Sequence, residues 1–315
     1  MTVIRAIRPT DLVALASLDS SACPNEARGC EQVGKREVES RPIEKAVEQW
    51  FSFATGRHTL VGIEGAAVKG LLSAHRRGYR TAWEIDCLVD ASNGQRETIM
   101  SLLEEMAQHV ARKGAERVFL RLCKDSPLLP VAARAGFTPY LTERLYACRS
   151  PRISRRERRP AGPVLRKKTR ADEFALFQLY NLCVPELVRA AEGMTFGEWK
   201  ANQERKWLES RISESVAERD GRIIARARAA TSGDTARFDL TLHPHERASQ
   251  EAILDELLSQ LEGSGLLLAL LPKYAEGIAR SLLRRGFHLG QEYSLLIKRT
   301  AVPVKAAQLA PAIWG

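Results

Sequence analysis

Aromatic residues make up only 6% of the 315-residue chain, and cysteine occupies only six positions. The cysteines, at 23, 30, 87, 123, 148 and 183, are too few and too scattered for the disulfide framework of a small secreted protein. No apolar run approaches the roughly 20 residues that span a bilayer, so no membrane-spanning helix and no membrane contact are expected. The opening MTVIRAIRPTD has no signal-peptide apolar core. Together these absences point to a cytoplasmic protein with reduced thiols. A nucleophile elbow and a P-loop are also missing. What remains is ordinary globular composition, 44% hydrophobic and 27% charged. At roughly 150 residues per domain, the length suggests two domains.

The net charge of +10 is local. The stretch 149–170, RSPRISRRERRPAGPVLRKKTR, holds ten basic residues and a single acid, Glu157. Pro151, Pro160, Gly162 and Pro163 interrupt it, so residues 150–162 read as an exposed interdomain linker. A basic run also attracts phosphate without sequence specificity, and a weak polyanion contact through 149–170 is the alternative role. No aromatic residue is interleaved, so base stacking on this segment is not supported.

The segments on either side of the linker resemble each other. Ala133-Arg134-Ala135-Gly136-Phe137 precedes an alternating run to Arg149, and Leu283-Arg284-Arg285-Gly286-Phe287 precedes one to Arg299. The same offset of 150 places ERVFLRL, 116–122, on LLLALLP, 266–272. One duplication of this length means two homologous domains rather than a solenoid.

Periodicity predicts strands at 3–8, 58–65, 67–78, 81–90, 117–123 and 137–148 in the first half. Helices are predicted from Thr10 to Asp19, over 42–54, over 95–113 and over 126–135. The long helix carries an apolar stripe of Ile99, Leu102, Leu103, Met106 and Val110, closed by Gly114. Residues 20–40 read as a long loop. The second half repeats the order, with strands at 164–168, 213–219, 222–230, 237–243, 266–272 and 288–299. Its helices open near Asp172 and cover 195–210, 248–263 and 273–285. Each half is β-α-α-β-β-β-α-β-α-β, an order that fits a mixed sheet with helices on both faces.

This order, the strand–helix junction LVDASNGQRETIMSLLEEM and the two Gly-Phe endings resemble the GNAT (Gcn5-related N-acetyltransferase) family, present twice. The resemblance covers about 2–149 and 163–300. It implies an α/β (α+β) fold of two GNAT-like domains, 1–149 and 163–300, each a mixed, mostly antiparallel sheet flanked by helices. The linker 150–162 joins them, and a tail, 301–315, follows.

The resemblance further implies that acetyl-CoA enters as co-substrate, without a metal, where the fourth strand splays from the fifth. Its pyrophosphate would rest on backbone N–H groups at the start of the next helix. The implied cofactor-binding residues are Leu88, Val89, Gly94, Gln95, Arg96 and Thr98 in the first copy. In the second they are Arg247 and Ala252. The family signature resembles Arg/Gln-x-x-Gly-x-Gly/Ala. The first copy offers one glycine, and in the second Gln250 stands at the first glycine position beside an acidic Glu251.

In this family a free amine attacks the thioester, aided by a base that is commonly a carboxylate on the fourth strand. Glu84 and Asp86 alternate onto one face of that strand and are the expected catalytic pair; neighbouring carboxylates raise one another's pKa. The plainer alternative is two acids on a solvated strand face. Asp239 is their counterpart in the second copy, and His75 is a further base candidate. The family's usual acid, a tyrosine, falls by register on Ala132 and Leu282, with Tyr140, Tyr146 and Tyr274 off register.

The implied activity is transfer of an acetyl group to a primary amine, small or protein-borne. The first copy is expected to be the active one, because Glu84, Asp86 and Gly94 are there. The alternative is a catalytically degenerate tandem scaffold whose basic linker contacts nucleic acid or an acidic partner. Cys23 with Cys30, and His243 with His245, lack the further ligands of a zinc site. Gly62, Gly65 and Gly70 read as hairpin turn residues. Trp50, Phe51, Phe53, Trp199 and Trp207 read as core or cleft wall.

Overall fold

The computed structural model describes residues 2–16, 23–29, 33, 56–78, 81–92, 94, 96–152, 163–193, 195–203 and 211–301. The expectations for 42–54, Cys30, Gln95, Trp207, most of the linker and the tail beyond 301 lie outside these residues. In the first half the elements are β1 (Val3–Ala6), α1 (Leu12–Ala16), β2 (Arg57–Glu64), β3 (Ala67–Arg76), β4 (Ala82–Asp90), α2 (Glu97–Arg112), β5 (Arg117–Cys123), α3 (Leu129–Arg134) and β6 (Thr138–Cys148). The second half has β7 (Leu165–Lys167), α4 (Glu173–Cys183), α5 (Glu186–Glu192), α6 (Phe196–Gln203), β8 (Arg211–Arg219), β9 (Arg222–Ser232), β10 (Thr235–Leu242), α7 (Gln250–Ser259), β11 (Leu266–Pro272), α8 (Glu276–Arg284) and β12 (His288–Arg299). Periodicity does not announce α5. Pro185 precedes its first residue, and the proline carbonyl accepts the N–H groups of Val188 and Arg189 at 3.0 and 3.1 Å.

The strands form one sheet rather than two, ordered β1-β2-β3-β4-β5-β12-β6-β11-β10-β9-β8-β7. The last strand of each half crosses to the other: β12 pairs with β5, and β6 pairs with β11. The sheet is therefore two six-strand runs that meet where β12 and β6 lie side by side. Neighbours are antiparallel except β4–β5 and β10–β11, one pair in each half.

The predicted stripe of α2 is fully buried on the sheet, from Ile99 to Val110. Each such side chain contributes roughly 1.5–3 kcal/mol. Two glycines allow this close approach. A Cβ on Gly62 would lie 2.6 Å from the Thr98 methyl, and one on Gly70 would lie 2.9 Å from Leu102 Cδ1. They face each other across β2 and β3, so only Gly65, at φ +61°, is the expected turn residue. In the second half α7 and α8 bury Ile253, Leu254, Leu257, Leu258, Ile278 and Leu282 around an edge-to-face Phe238–Phe287 pair.

The duplication also recurs in side-chain detail. Arg5 clamps both oxygens of Asp11 at 2.7 Å, and Arg166 clamps both oxygens of Asp172 at 2.8 Å. Arg166 also reaches Glu218, and Lys168 pairs with Glu214. Two charges of the basic run are thus held inside the second half. Helices α5 and α6 dock on the first half. Arg117 pairs with Glu198, Tyr140 donates to Glu192 at 3.1 Å, and a Cβ on Gly78 would lie 2.0 Å from the Ala201 carbonyl oxygen.

Candidate functional site

Each parallel pair opens into a wedge. Strand β4 is paired with β5 over Ala82–Ile85 and Arg117–Leu120, and β10 with β11 over Thr235–Phe238 and Leu266–Ala269. Beyond those residues the strands part, leaving main-chain groups that need partners. The two wedges meet this need differently.

The first wedge is filled by the chain itself. Asn25 bridges Val89, and Ala27 bridges Leu122. The Glu26 N–H donates to the Leu88 carbonyl at 2.9 Å, and the Arg28 N–H donates to the Arg121 carbonyl at 3.0 Å. The Leu88 N–H donates to Asn25 Oδ1 at 2.8 Å, while Asn25 Nδ2 donates to the Asp86 carbonyl at 3.0 Å. Ser126 fastens the outer side by donating to Glu26 at 2.6 Å. Asn25 and Ala27 are buried. Both main-chain groups of Leu88 are therefore taken by residues 25–26. Thr98 is buried beneath Gly62, and Gly94 (φ +92°) and Arg96 are exposed at the start of α2.

Glu84 and Asp86 are buried, not solvated. Asp86 is the extra residue of a bulge against β3. Arg57 binds both of its oxygens at 2.7 Å, and His75 Nδ1 lies 3.5 Å away. Glu84 lies 3.4 Å from Arg77 and 3.9 Å from Arg121. Arg77 in turn stacks on the Phe119 ring at 3.6 Å, and Arg121 also binds Glu143 at 3.0 Å. This is the pattern of buried charges that are individually compensated.

The second wedge is open. A cleft of about 840 Å³ begins where β10 leaves β11. Strand β10 contributes Asp239, β6 of the first half contributes Leu141 and Glu143, and α4 and α5 contribute Tyr180, Val188 and Glu192. Tyr274 follows β11 and lines the same space. Asp239 is half-buried, and its carboxylate makes no hydrogen bond or ion pair among the described residues. Burial raises its pKa, outweighing the neighbouring Arg226 and Arg228.

At the other side of the cleft lie the start of α7 and the flank of α8. Arg247 and Arg280 are exposed there and make no ion pair among the described residues. Gln250 is buried and bridges α7 to α8, donating to the Gly277 carbonyl at 3.0 Å and to Ser281 at 2.6 Å. Burial raises the pKa of Glu251, but hydrogen bonds from Ser281, Arg285 and Arg284 prevail and hold it at about 2. Its charge is thus neutralised by its own neighbours. Ala252 is half-buried in the first turn of α7. A helix start beside two unpaired guanidinium groups suits a phosphate-bearing ligand.

Ala132 and Leu282, where the family's tyrosine would fall, are both fully buried. Trp199 packs in the core with Phe177, Tyr180 and Phe196. His243 lines the open cleft and accepts the His245 N–H at 3.3 Å. No sequence pattern marks Glu143, Glu192, Tyr180 or Arg280. They come from four elements and share no motif.

Two parallel strand pairs that splay ahead of a helix start, with exchanged final strands, form a specific arrangement. The whole chain is similar to a tandem GNAT protein from the clavulanic acid biosynthesis pathway, with a TM-score of 0.52 at 15% identity, over 97% of this chain and 99% of that one. The chain has the tandem GNAT fold. A GCN5-related N-acetyltransferase from Sphaerobacter thermophilus matches with a TM-score of 0.54 at 15% identity, over 95% of each chain. One from Anabaena variabilis matches with 0.51 at 9% identity, over 94% of this chain and 72% of that one. No protein-family model matches the sequence, and no curated protein does. The likeness is therefore one of fold. Among the described residues no helix is long and apolar enough to cross a membrane.

Proposed function

We propose that the protein transfers an acetyl group from acetyl-CoA to a primary amine in the β10–β11 cleft of the second half. One observation carries this reading: of the two wedges, the second is open, and it holds a carboxylate that has no ion-pair partner among the described residues. The first half, expected from the sequence to be the active copy, has its wedge occupied by Asn25–Arg28. Its two acids are also tied to arginines. We assign it a supporting role.

In this reading the pantetheine arm lies along the parted edge of β10. Arg247, Arg280 and the start of α7 take the phosphates. Asp239 receives the proton that the amine gives up. The nitrogen lone pair forms the new C–N bond to the thioester carbon, the C–S bond breaks, and the departing thiolate takes a proton from solvent. A raised pKa suits Asp239 to this task, since a base works best when its pKa nears the operating pH. No activity has to pass through residues 149–170, and a polyanion contact there remains a separate proposal.

Calorimetric titration with acetyl-CoA tests the reading, together with thiol release in the presence of amines. Binding that is weakened by Arg247→Gln and turnover that is lost in Asp239→Asn are the expected results. Absence of acetyl-CoA binding by the intact chain overturns it.

A further inference from the structure

We propose that the acceptor is a dicationic alkyl amine, whose second ammonium group binds the wall that β6, α4 and α5 present to the β10–β11 cleft. This rests on the acetyl-transfer reading above and adds to it the class of acceptor.

The unpaired cations of the cleft lie at one side. Arg247 and Arg280 stand on the α7–α8 side, suited to a polyanionic donor, with Glu276 at the same edge and Glu251 bound to Arg284 and Arg285. The opposite wall brings Glu143, Glu192 and Asp239 together with the rings of Tyr180 and Tyr274 and the side chain of Val188. Arg226 and Arg237 also border the cleft; Arg226 is bound to Glu214 at 2.7 Å, and Arg237 and Glu192 both have further interactions within the protein. Two of the acids are held in place from outside. Arg121 fixes Glu143 at 3.0 Å, and the Tyr140 hydroxyl donates to Glu192 at 3.1 Å.

Carboxylates gather around Tyr274. Burial raises its pKa, and Glu192, Tyr180, Glu143 and Cys183 push it in the same direction, while Arg226 and Arg228 act in the opposite sense on Asp239 and Arg189 does so on Tyr180. Aromatic faces beside carboxylates bind an ammonium group through both the ring quadrupole and the full charge. Val188 and Leu141 give the intervening methylenes an apolar path. An acceptor carrying its own carboxylate meets like charge on this wall. With one amine at Asp239 and a second cation between Glu192 and the tyrosines, the acceptor is oriented at both ends.

The test uses the full chain with acetyl-CoA and three acceptors of equal length: 1,5-diaminopentane, 1-aminopentane and 5-aminopentanoate. We expect kcat/KM to favour the diamine over the monoamine by about tenfold, a single charge contact's worth, with the carboxylate-bearing amine last. Glu192→Gln should remove most of that preference while the Kd for acetyl-CoA stays unchanged. Should Glu192→Gln not fold, Tyr274→Leu, at a residue 40% exposed, should lower the preference in the same way. Equal use of all three acceptors, or a preference unchanged in these variants, overturns the inference while leaving acetyl transfer intact. If acetyl-CoA does not bind at all, the donor reading fails on its own. Calorimetry with the diamine and the aminopentanoate then decides this inference: selective diamine binding supports it, and equal or absent binding overturns it.

Discussion

Asp86 and Asp239 occupy the same register position in the two halves, one residue past the last parallel pair, yet only Asp86 is gripped by an arginine. Arg57 satisfies both oxygens of Asp86, and the side chain is 1% exposed. Asp239 faces a cleft instead, with two arginines near but not bonded to it. One duplicated position has thus become a structural ion pair in one copy and an accessible carboxylate in the other.

That difference predicts opposite effects of the same substitution. Asp86→Asn takes the counter-charge from the half-buried Arg57 guanidinium in a pair whose acid is 1% exposed, and should cost about 3 kcal/mol. Asp239→Asn should not destabilise at neutral pH. The folded state raises the Asp239 pKa, so its ionised form is disfavoured there relative to the unfolded chain. The resulting penalty is absent at acid pH, below the ordinary carboxylate range, and grows as pH rises from that range through the raised folded value. Asparagine removes the penalty, so the variant's advantage should appear at neutral pH and vanish on acidification. Urea unfolding of both variants across pH measures this; a large loss in Asp239→Asn would contradict it.

Acetyl-CoA should bind with a stoichiometry of one per chain, not two. The first wedge offers no unpaired edge, because residues 25–28 use it on both sides. Gly94→Ala, where a Cβ would meet nothing within 4 Å but φ is positive, should leave affinity unchanged. Arg247→Gln and Arg280→Gln should each weaken it by about tenfold, the scale of one charge-assisted hydrogen bond. Isothermal titration reads both numbers.

Much of the architecture was legible because periodicity is local. The α2 stripe, the strand 117–123 and the paired Gly-Phe endings follow from spacing alone, and the observed bounds differ from those predicted by a few residues. The exchange of β6 and β12 was not legible, since both strands carry the same alternation and either would close either half. Nor was the insertion of Asn25–Arg28, a stretch too short to show a period, whose partners sit more than 60 residues away. For the same reason Glu84 and Asp86 read as a catalytic pair: their arginines come from other strands and turns. The sequence makes Asp239 their counterpart but does not show which of two equivalent wedges is filled.

Asn25→Ala should destabilise the first half without touching the reaction. The amide holds the Leu88 N–H, the Ala27 N–H and the Asp86 carbonyl together. Removing it strands these groups, a loss of about 1–3 kcal/mol for a buried donor left unmade. Thermal unfolding should register the change, with acetyl-CoA affinity as wild type. A new, second binding event per chain would mean that the inserted segment masks a working site.

Gly78→Ala tests how the halves are joined. A Cβ there would sit 2.0 Å from the Ala201 carbonyl oxygen, so the turn after β3 or helix α6 has to move. Overpacking of this kind costs about 1–3 kcal/mol. Helix α6 is tied to the same place through Glu198 and Arg117, and α5, just before it, carries Val188 and Glu192 of the acceptor wall. Displacement should therefore raise KM for the amine. The acetyl-CoA Kd should not change, because Arg247 and Arg280 lie on elements that α6 does not hold. Gly197→Ala on α6 is the control: its Cβ would meet nothing within 4 Å, and alanine favours a helix by about 0.5–1 kcal/mol. A Gly78→Ala protein with unchanged amine KM would show that the acceptor wall does not depend on its anchorage to the first half.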